Sequence, residues 1–421
     1  MAATQGLALS QPRTASASWR QLLLCVGPGF LIAVGYMDPG NWATDIAAGS
    51  AYGYGLLWVI VLSNVVAMVL QRLALALGIA SGRNLAEVCR DRYTRPVVIL
   101  LWLVAELAII STDLAEVIGT VIALQLLVHL PLVWGLVASV IEVFLVLGLQ
   151  RWGVRRLEAT VLALMAIISA CFVLELLWAP LRWGAMAQGL LPGTAIWHDP
   201  AMAYIAIGIV GATVMPHNLY LHSALVQNCA AGVPRERAVT LAGIDSNVAL
   251  GVAMLINAAI LVVAAAAFHA HGRHDVASLS QAHGLLAPLL GAPLAGTVFA
   301  IGLLASGMNA TMTGTLAGQV VMEGFIRLPL RPVPRRLLTR GVAVIPAAVM
   351  ILVGGVAGLD RLLILSQVVL AIQLPFAAIP LLLATSDRTV MGSLRISPAL
   401  RLVGWSICIL LCALAVIALV F

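Results

Sequence analysis

The chain has 421 residues, of which 62% are hydrophobic and only 10% charged, and its mean hydropathy is +1.07. Soluble domains carry roughly a quarter charged residues, so an ordinary soluble protein is excluded. The apolar runs are too long and continuous for the alternating strands of a β-barrel. The formal charge of +6 does not point to nucleic acid: lysine is absent, every fixed positive side chain is arginine, and the arginines read as loop residues. The six cysteines, Cys25, Cys89, Cys171, Cys229, Cys408 and Cys412, form no Cys-x-x-Cys pair. Free cysteine in apolar segments behaves as a small hydrophobe, so neither a disulfide framework nor a thiolate metal site is expected.

Residues 1–20 read as a polar N-terminal tail containing Arg13 and Arg20. The apolar run that follows carries Asp38 and Pro39 and leads directly into another span, which marks a mature helix and not a signal peptide. Eleven apolar segments are long enough to cross a bilayer, each needing roughly 20 residues: 22–48, 53–80, 97–125, 130–149, 157–179, 201–230, 238–269, 288–326, 338–357, 360–385 and 398–421. One set of alternate loops holds Arg83, Arg90, Arg92, Arg95, Arg151, Arg155, Arg156, Arg235, Arg237, Arg327, Arg331, Arg335, Arg336, Arg388, Arg395 and Arg401, the other only Arg182, Arg273 and Arg361. Arginine-rich loops stay in the cytoplasm, so the N-terminus is expected inside and Phe421 outside. Spans one to five (21–179) and six to ten (201–385) then have opposite orientation, with the eleventh helix (396–421) appended.

Two tetrapeptides interrupt apolar spans: Asp38-Pro39-Gly40-Asn41 in the first and Met215-Pro216-His217-Asn218 in the sixth. Proline removes a backbone donor and breaks a helix. Lipid cannot satisfy the freed backbone groups, so a break survives only beside protein or a wet cavity. Paired interruptions at corresponding points of two halves mark a transporter's binding site. The expected fold is therefore an all-α polytopic LeuT-type inverted repeat of 5+5 helices plus an eleventh, with helices 1 and 6 broken.

The side chains at the breaks suit a metal ion. Asp38 is an intramembrane carboxylate, a functional candidate by default, although aspartate before proline is also a common helix cap. Asn41 lies one turn on. A break frees carbonyls about one turn earlier, and Ala212 is placed to offer one. Met215 alone reads as packing, but its place before Pro216 changes that: thioether sulfur favours later transition metals over Ca²⁺ and Mg²⁺. His217 and His222, five apart, suit proton handling better than joint ligation. Span three carries Glu106, Asp113 and Glu116; acids in one span mark proton or ion routes, with Arg340 as a structural partner. Asp45, Asp245, Asn247 and Asn257 read as helix-packing polar groups, and Gln367, more than Gln373, as a cavity-lining residue.

Asp38-Pro39-Gly40-Asn41 and the run Gly211-Ala-Thr-Val-Met-Pro-His-Asn-Leu-Tyr-Leu-His-Ser223 resemble the two signature segments of the Nramp family, the natural resistance-associated macrophage proteins. Thr112-Asp-Leu-Ala-Glu116, Thr315-Leu-Ala-Gly-Gln319, Gln367-Val-Val-Leu and Gln373-Leu-Pro-Phe resemble its third, eighth and tenth helices. The resemblance runs from about Gly27 onward. It implies proton-coupled import of Mn²⁺, Fe²⁺ and related ions such as Cd²⁺ across a bacterial inner membrane, by a monomer with no prosthetic group. It implies Asp38, Asn41, Met215 and the Ala212 carbonyl as metal ligands, with Gln367 approaching in an occluded state. It implies Asp38, Glu106, Asp113, Glu116, His217, His222 and Arg340 as a proton-linked network. Met215 argues against the magnesium-transporting branch. The rival readings are a Na⁺-coupled carrier of small organic solutes on the same fold, an intramembrane metal enzyme and a passive metal channel. The first has no need of Met215, and no His-Glu-x-x-His-like signature supports the second.

Overall fold

A computed structural model describes residues 27–151, 154–230, 233–327 and 332–420. The expected tail, the start of the first span, Cys25, Arg331 and Phe421 lie outside the described residues. The chain runs through α1 (Pro28–Ala33, continued as a 3₁₀ turn over Val34–Met37), α2 (Pro39–Tyr52), α3 (Leu57–Ser81), α4 (Leu85–Arg92), α5 (Arg95–Val128), α6 (Leu132–Arg151) and α7 (Val154–Trp178). It continues through α8 (Trp183–Gly189), α9 (Pro200–Thr213), α10 (Pro216–Leu225), α11 (Arg235–Ala267), α12 (Leu279–Leu290), α13 (Ala295–Ile326), α14 (Pro332–Ser386), α15 (Arg388–Met391) and α16 (Pro398–Ala418).

Among the described residues, nine helices are long and apolar enough to cross a membrane. The first span is cut too short by its break to be one of them. The 55-residue α14 bends at Gly355 (φ 57°, ψ −142°), a left-handed conformation that glycine adopts without Cβ strain, so it contributes two limbs. Some limits differ from those read in the sequence. The first span runs to Tyr52, and the eighth begins at Ala295, because a separate helix, α12, occupies 279–290.

The polarity of the bundle is inverted relative to a soluble protein. Leu177, Leu352, Val353, Leu402 and Ile409 are exposed on its outside, whereas Asp38, Asp113, Glu116, His217, His222 and Gln367 are buried at its centre. Apolar side chains gain little by leaving lipid for protein, so close packing and internal hydrogen bonds hold such helices together. Trp42 of α2 shows the packing: its ring stands 4.6 Å from that of Phe172 on α7 and 5.2 Å from that of Phe299 on α13. Each such aromatic pair is worth about 0.5–1.5 kcal/mol beyond area burial.

Short helices tie the ends. Asn84 and Glu87 form a capping box on α4, with Glu87 N donating to Asn84 Oδ1 at 2.9 Å and Asn84 N to Glu87 Oε2 at 2.8 Å. Arg92 at the end of α4 pairs with Asp387, the cap of α15, at 2.8 Å. The Thr389 hydroxyl and N–H, supported by Arg92, hold the Asp387 carboxyl below its ordinary range, so this tie persists at neutral pH and is lost as acid protonates it.

The arginine asymmetry predicts opposite accessibility for two loops. In a cysteine-free background, Cys at position 83 should label with an impermeant thiol reagent only from the cytoplasmic face, and Cys at 273 only from the opposite face. Labelling of position 273 from the cytoplasm would overturn the topology.

Candidate metal site at the helix breaks

The first break is built by Asp38 and Pro39 together. Asp38 adopts an extended conformation (φ −71°, ψ 167°) and caps α2, its Oδ1 accepting from Asn41 N at 2.8 Å, with Pro39 at the first helical position. The other carboxylate oxygen, Oδ2, is buried without a protein partner. Capping and ligation therefore do not compete, since each takes one oxygen. The backbone before the break is held by distant helices. Asn257 Nδ2 on α11 donates to the Tyr36 carbonyl at 2.9 Å, and the Ser306 hydroxyl on α13 donates to the Met37 carbonyl.

The second break follows from Pro216. α9 ends as Val214 N donates back to the Val210 carbonyl at 2.8 Å, and α10 restarts with Pro216 at its first position. The Ala212 carbonyl would have accepted from residue 216, but proline has no N–H to give, so that oxygen is free to face the first break.

Asn41 joins the two. In one orientation its amide nitrogen donates to Asp38 Oδ1 at 2.8 Å and to the Ala212 carbonyl at 3.3 Å, and its oxygen accepts from Asn257 Nδ2 at 3.2 Å. Turned by 180°, its oxygen faces Asp38 Oδ1, which already accepts from Asn41 N, and the Ala212 carbonyl oxygen, with no side-chain proton to share between them, an arrangement that a cation resolves. Glycine lets the remaining groups close in. A Cβ on Gly40 would fall on the Gln367 carboxamide, and one on Gly211 on the Gln367 carbonyl, while one on Gly35 would sit 3.4 Å from Met215 Sδ. Gln367 Oε1, Asn218 Oδ1 and Thr213 Oγ1 are buried there without partners. Buried polar atoms are costly unless satisfied, and this many orphaned acceptors beside a buried carboxylate fit a divalent cation with residual water. The groups that could hold such an ion are oxygens of Asp38, Asn41 and Ala212, the Gln367 amide oxygen and the Met215 sulfur.

A second polar cluster lies between α5 and α14. Arg336 binds Asp113 and reaches Glu116 at 2.9 Å; Arg340 binds Glu116 at 2.9 Å and Glu142 at 3.5 Å; Arg335 stands 3.6 Å from Glu106. The expected partner Arg340 is present, but Arg335 and Arg336 correct the sequence reading. They are buried in α14 and are not loop residues, because charges this close to the membrane interior are held there only by the acids they pair with. Arg72, midway along α3, is a further non-loop arginine and donates to the Val239 carbonyl at 2.6 Å. Three carboxylates on α5, of which Asp113 and Glu116 are buried, and buried Glu142 on α6 call for more than one cation, and that is the signal available for Arg335 and Arg336.

The two histidines separate. His217 lies within electrostatic reach of Asp113 and Arg336, and neither ring nitrogen has a protein partner. His222 faces another way: its Nδ1 meets Gln71 Oε1 at 2.8 Å, and Gln71 Nε2 donates to the Tyr36 hydroxyl at 2.8 Å. It joins the first broken helix through Gln71, not through the α5 acids. Asn257, read from sequence as a packing group, is instead a direct neighbour of Asn41 and Tyr36. Asp245 does pack, accepting from Gly29 N at 2.7 Å and Gly27 N at 3.2 Å.

Residues 29–421 match the family model described as natural resistance-associated macrophage protein-like. The chain belongs to the Nramp family. It is similar to the divalent metal cation transporter MntH of Listeria innocua, with 52% identity over 93% of this chain and 88% of that one. It is equally similar to the MntH of Bradyrhizobium diazoefficiens, with 54% identity over 93% and 88%. Among solved structures, a manganese transporter of Eremococcus coleocola, crystallised with an aromatic bis-isothiourea compound, superposes with a TM-score of 0.87 at 37% identity, over 98% of this chain and 90% of that one. A nucleobase-cation-symport-1 transporter in a closed conformation shares the fold alone, with a TM-score of 0.59 at 16% identity over 94% of this chain and 91% of that one. The Nramp chain is thus a multi-pass membrane protein with a LeuT-type fold.

The buried pairing makes a stability prediction. Removing one partner of a buried ion pair costs about 3–5 kcal/mol, whereas exposed pairs are worth about 0–1 kcal/mol. Arg336→Ala should lower the thermal unfolding midpoint in detergent markedly, and Arg83→Ala, whose pair with Asp91 is exposed, should leave it nearly unchanged.

Proposed function

We propose that the chain imports divalent transition-metal ions, Mn²⁺ and also Fe²⁺ and Cd²⁺, by alternating access across a bacterial inner membrane, coupled to inward proton flow. The observation that carries this reading is the convergence of Asp38, Asn41 and the Ala212 carbonyl at two proline breaks, with Met215 sulfur and Gln367 beside them. Relatives at 52% and 54% identity are named divalent metal cation transporters, and the related structure at 37% identity is of a manganese transporter; both support the class of cargo. The expected repeats, 21–179 and 201–385 with the eleventh helix after them, supply the broken helices that face each other.

The anionic oxygen of Asp38 offsets dehydration of the incoming ion, as a neutral amide does poorly. Met215 adds a soft ligand that disfavours Ca²⁺ and Mg²⁺. Gln367, held against Gly40 and Gly211, spans both breaks and closes the shell when they approach. His217 provides a proton-accepting group between the breaks and the Asp113–Glu116–Arg336–Arg340 cluster, and Glu106 with Arg335 extends that line. His222 belongs to the branch through Gln71 and Tyr36. A Na⁺-coupled carrier of organic solutes is disfavoured, because it gives the sulfur nothing to bind.

Asp38→Asn should abolish most Mn²⁺ binding by calorimetry while the protein still folds; affinity within a factor of two of the parent would reject the ligand assignment. Met215→Ala should let Ca²⁺ compete about tenfold better with Mn²⁺ uptake, equivalent to roughly 1.4 kcal/mol, and should lower Cd²⁺ uptake more than Mn²⁺ uptake. Superimposable competition curves would make Met215 a packing residue. Glu116→Gln, studied in proteoliposomes with internal pH recorded, should weaken metal-driven acidification more than Mn²⁺ binding; equal loss of both would count against a separate proton route.

A further inference from the structure

We propose that a second metal site, distinct from the one at the helix breaks, lies where the end of α2 meets the end of α11. It is formed by His269 Nδ1, His274 Nδ1 and the Ser50 carbonyl, and it takes a borderline divalent cation such as Zn²⁺. The arginine asymmetry assigns this end of the bundle to the outside.

Two imidazole nitrogens face each other here. His274 Nδ1 lies 3.1 Å from His269 Nδ1, and His269 Nδ1 lies 2.9 Å from the Ser50 carbonyl oxygen. Hydrogen bonding satisfies this trio poorly. If His269 Nδ1 carries the proton that Ser50 accepts, that nitrogen has no lone pair for His274, and His274 can only share the same proton. A metal ion resolves the conflict, because each neutral imidazole offers it a lone pair. Ligands about 2.0–2.1 Å from one ion stand about 2.9–3.4 Å apart at angles between octahedral and tetrahedral, and 3.1 Å falls in that interval. The rings are inclined at 71°, so both nitrogens can point to one place without stacking.

The geometry is fixed by bonds that do not use the imidazoles. The Ser50 hydroxyl donates to the Arg273 carbonyl at 2.9 Å and accepts from Val276 N at 3.0 Å, folding the 269–276 loop around the end of α2. His271 is turned away, with its Nδ1 on the Ala267 carbonyl at 2.8 Å. His274 is exposed and His269 half-buried. His269 also lines a cavity of about 220 Å³ with Tyr52, Tyr54 and Arg182, which gives an ion a way in.

Among the described residues, no group of three or more His, Cys, Asp and Glu side chains is placed to hold a metal. A two-imidazole, one-carbonyl site completed by water is therefore open and exchangeable, unlike a closed structural site. Arg182 and Arg273 carry positive charge nearby, and Asp275 and Asp199, which bonds Tyr52 of the same cavity, oppose them. Neutral nitrogen ligands and the order of stabilities favour Zn²⁺, Ni²⁺ or Cu²⁺ over Mn²⁺. An ion bound here would tie α2, which carries Asp38 and Asn41, to α11, which carries Asn257.

The test is Zn²⁺ binding to the purified full chain at pH 7.5 by equilibrium dialysis, in an Asp38→Asn background that removes the site at the breaks. One Zn²⁺ per chain should remain at micromolar concentration. His274→Gln, an exposed and structurally mild change, should weaken it at least tenfold, as should His269→Gln. Equal Zn²⁺ binding with and without His274, or binding only at millimolar Zn²⁺, would overturn the proposal. Should Asp38 not be a ligand, the background would bind two ions, and His274→Gln would still remove one, so the two assignments fail separately.

Discussion

Everything at the centre of this bundle depends on one constraint: a proline-broken backbone inside a membrane must have its orphaned groups satisfied by protein, water or an ion. Pro39 and Pro216 each remove a donor, and the other helices are arranged around the consequence. Asn257 and Ser306 reach in from α11 and α13 to the carbonyls of Tyr36 and Met37. Asp38 caps the restart of α2. What they leave over, one oxygen of Asp38 and the side-chain oxygen of Gln367, with the Ala212 carbonyl reached only by the Asn41 amide in one of its orientations, is a set of acceptors short of positive charge. The proposed cation site is thus the remainder of a hydrogen-bond account that protein donors alone do not close.

The same physics gives the cluster between α5 and α14 a different outcome. There the carboxylates of Asp113, Glu116 and Glu142 meet permanent cations, Arg336 and Arg340. Guanidinium groups keep their charge under all ordinary conditions, so these two cations balance two of the three carboxylates and supply most of the cluster's compensation from protein alone. His217, with both ring nitrogens unpartnered, stands between a site short of cations and a cluster supplied with them.

Motion is implied by where the packing is tight and where it is not. Gly40 and Gly211 admit the Gln367 side chain and backbone against both breaks, so Gln367 is in close contact with each. Trp42 is clasped by Phe172 and Phe299, which fixes the start of α2 to α7 and α13. The far end of α2 is held by Ser50 and the 269–276 loop.

The sequence by itself determined the membrane class, both helix breaks and the residues at them. These follow from local chemistry: hydropathy over a span, proline's missing donor, and a carboxylate where lipid allows none. The tandem Pro-x-Asn signature also carried the Nramp resemblance, which the family match bears out. Tertiary structure alone decided which distant groups meet. Asn257 read as packing because nothing within its own span reveals that Asn41 and the Tyr36 carbonyl lie across from it. Arg335 and Arg336 read as loop residues because a charge is assigned to water until its partners are known, and those partners are more than 200 positions away. The separation of His222 from His217, five residues apart on one short helix, was likewise invisible, since it depends on Gln71 of α3 occupying one side of that helix and the α5 acids the other.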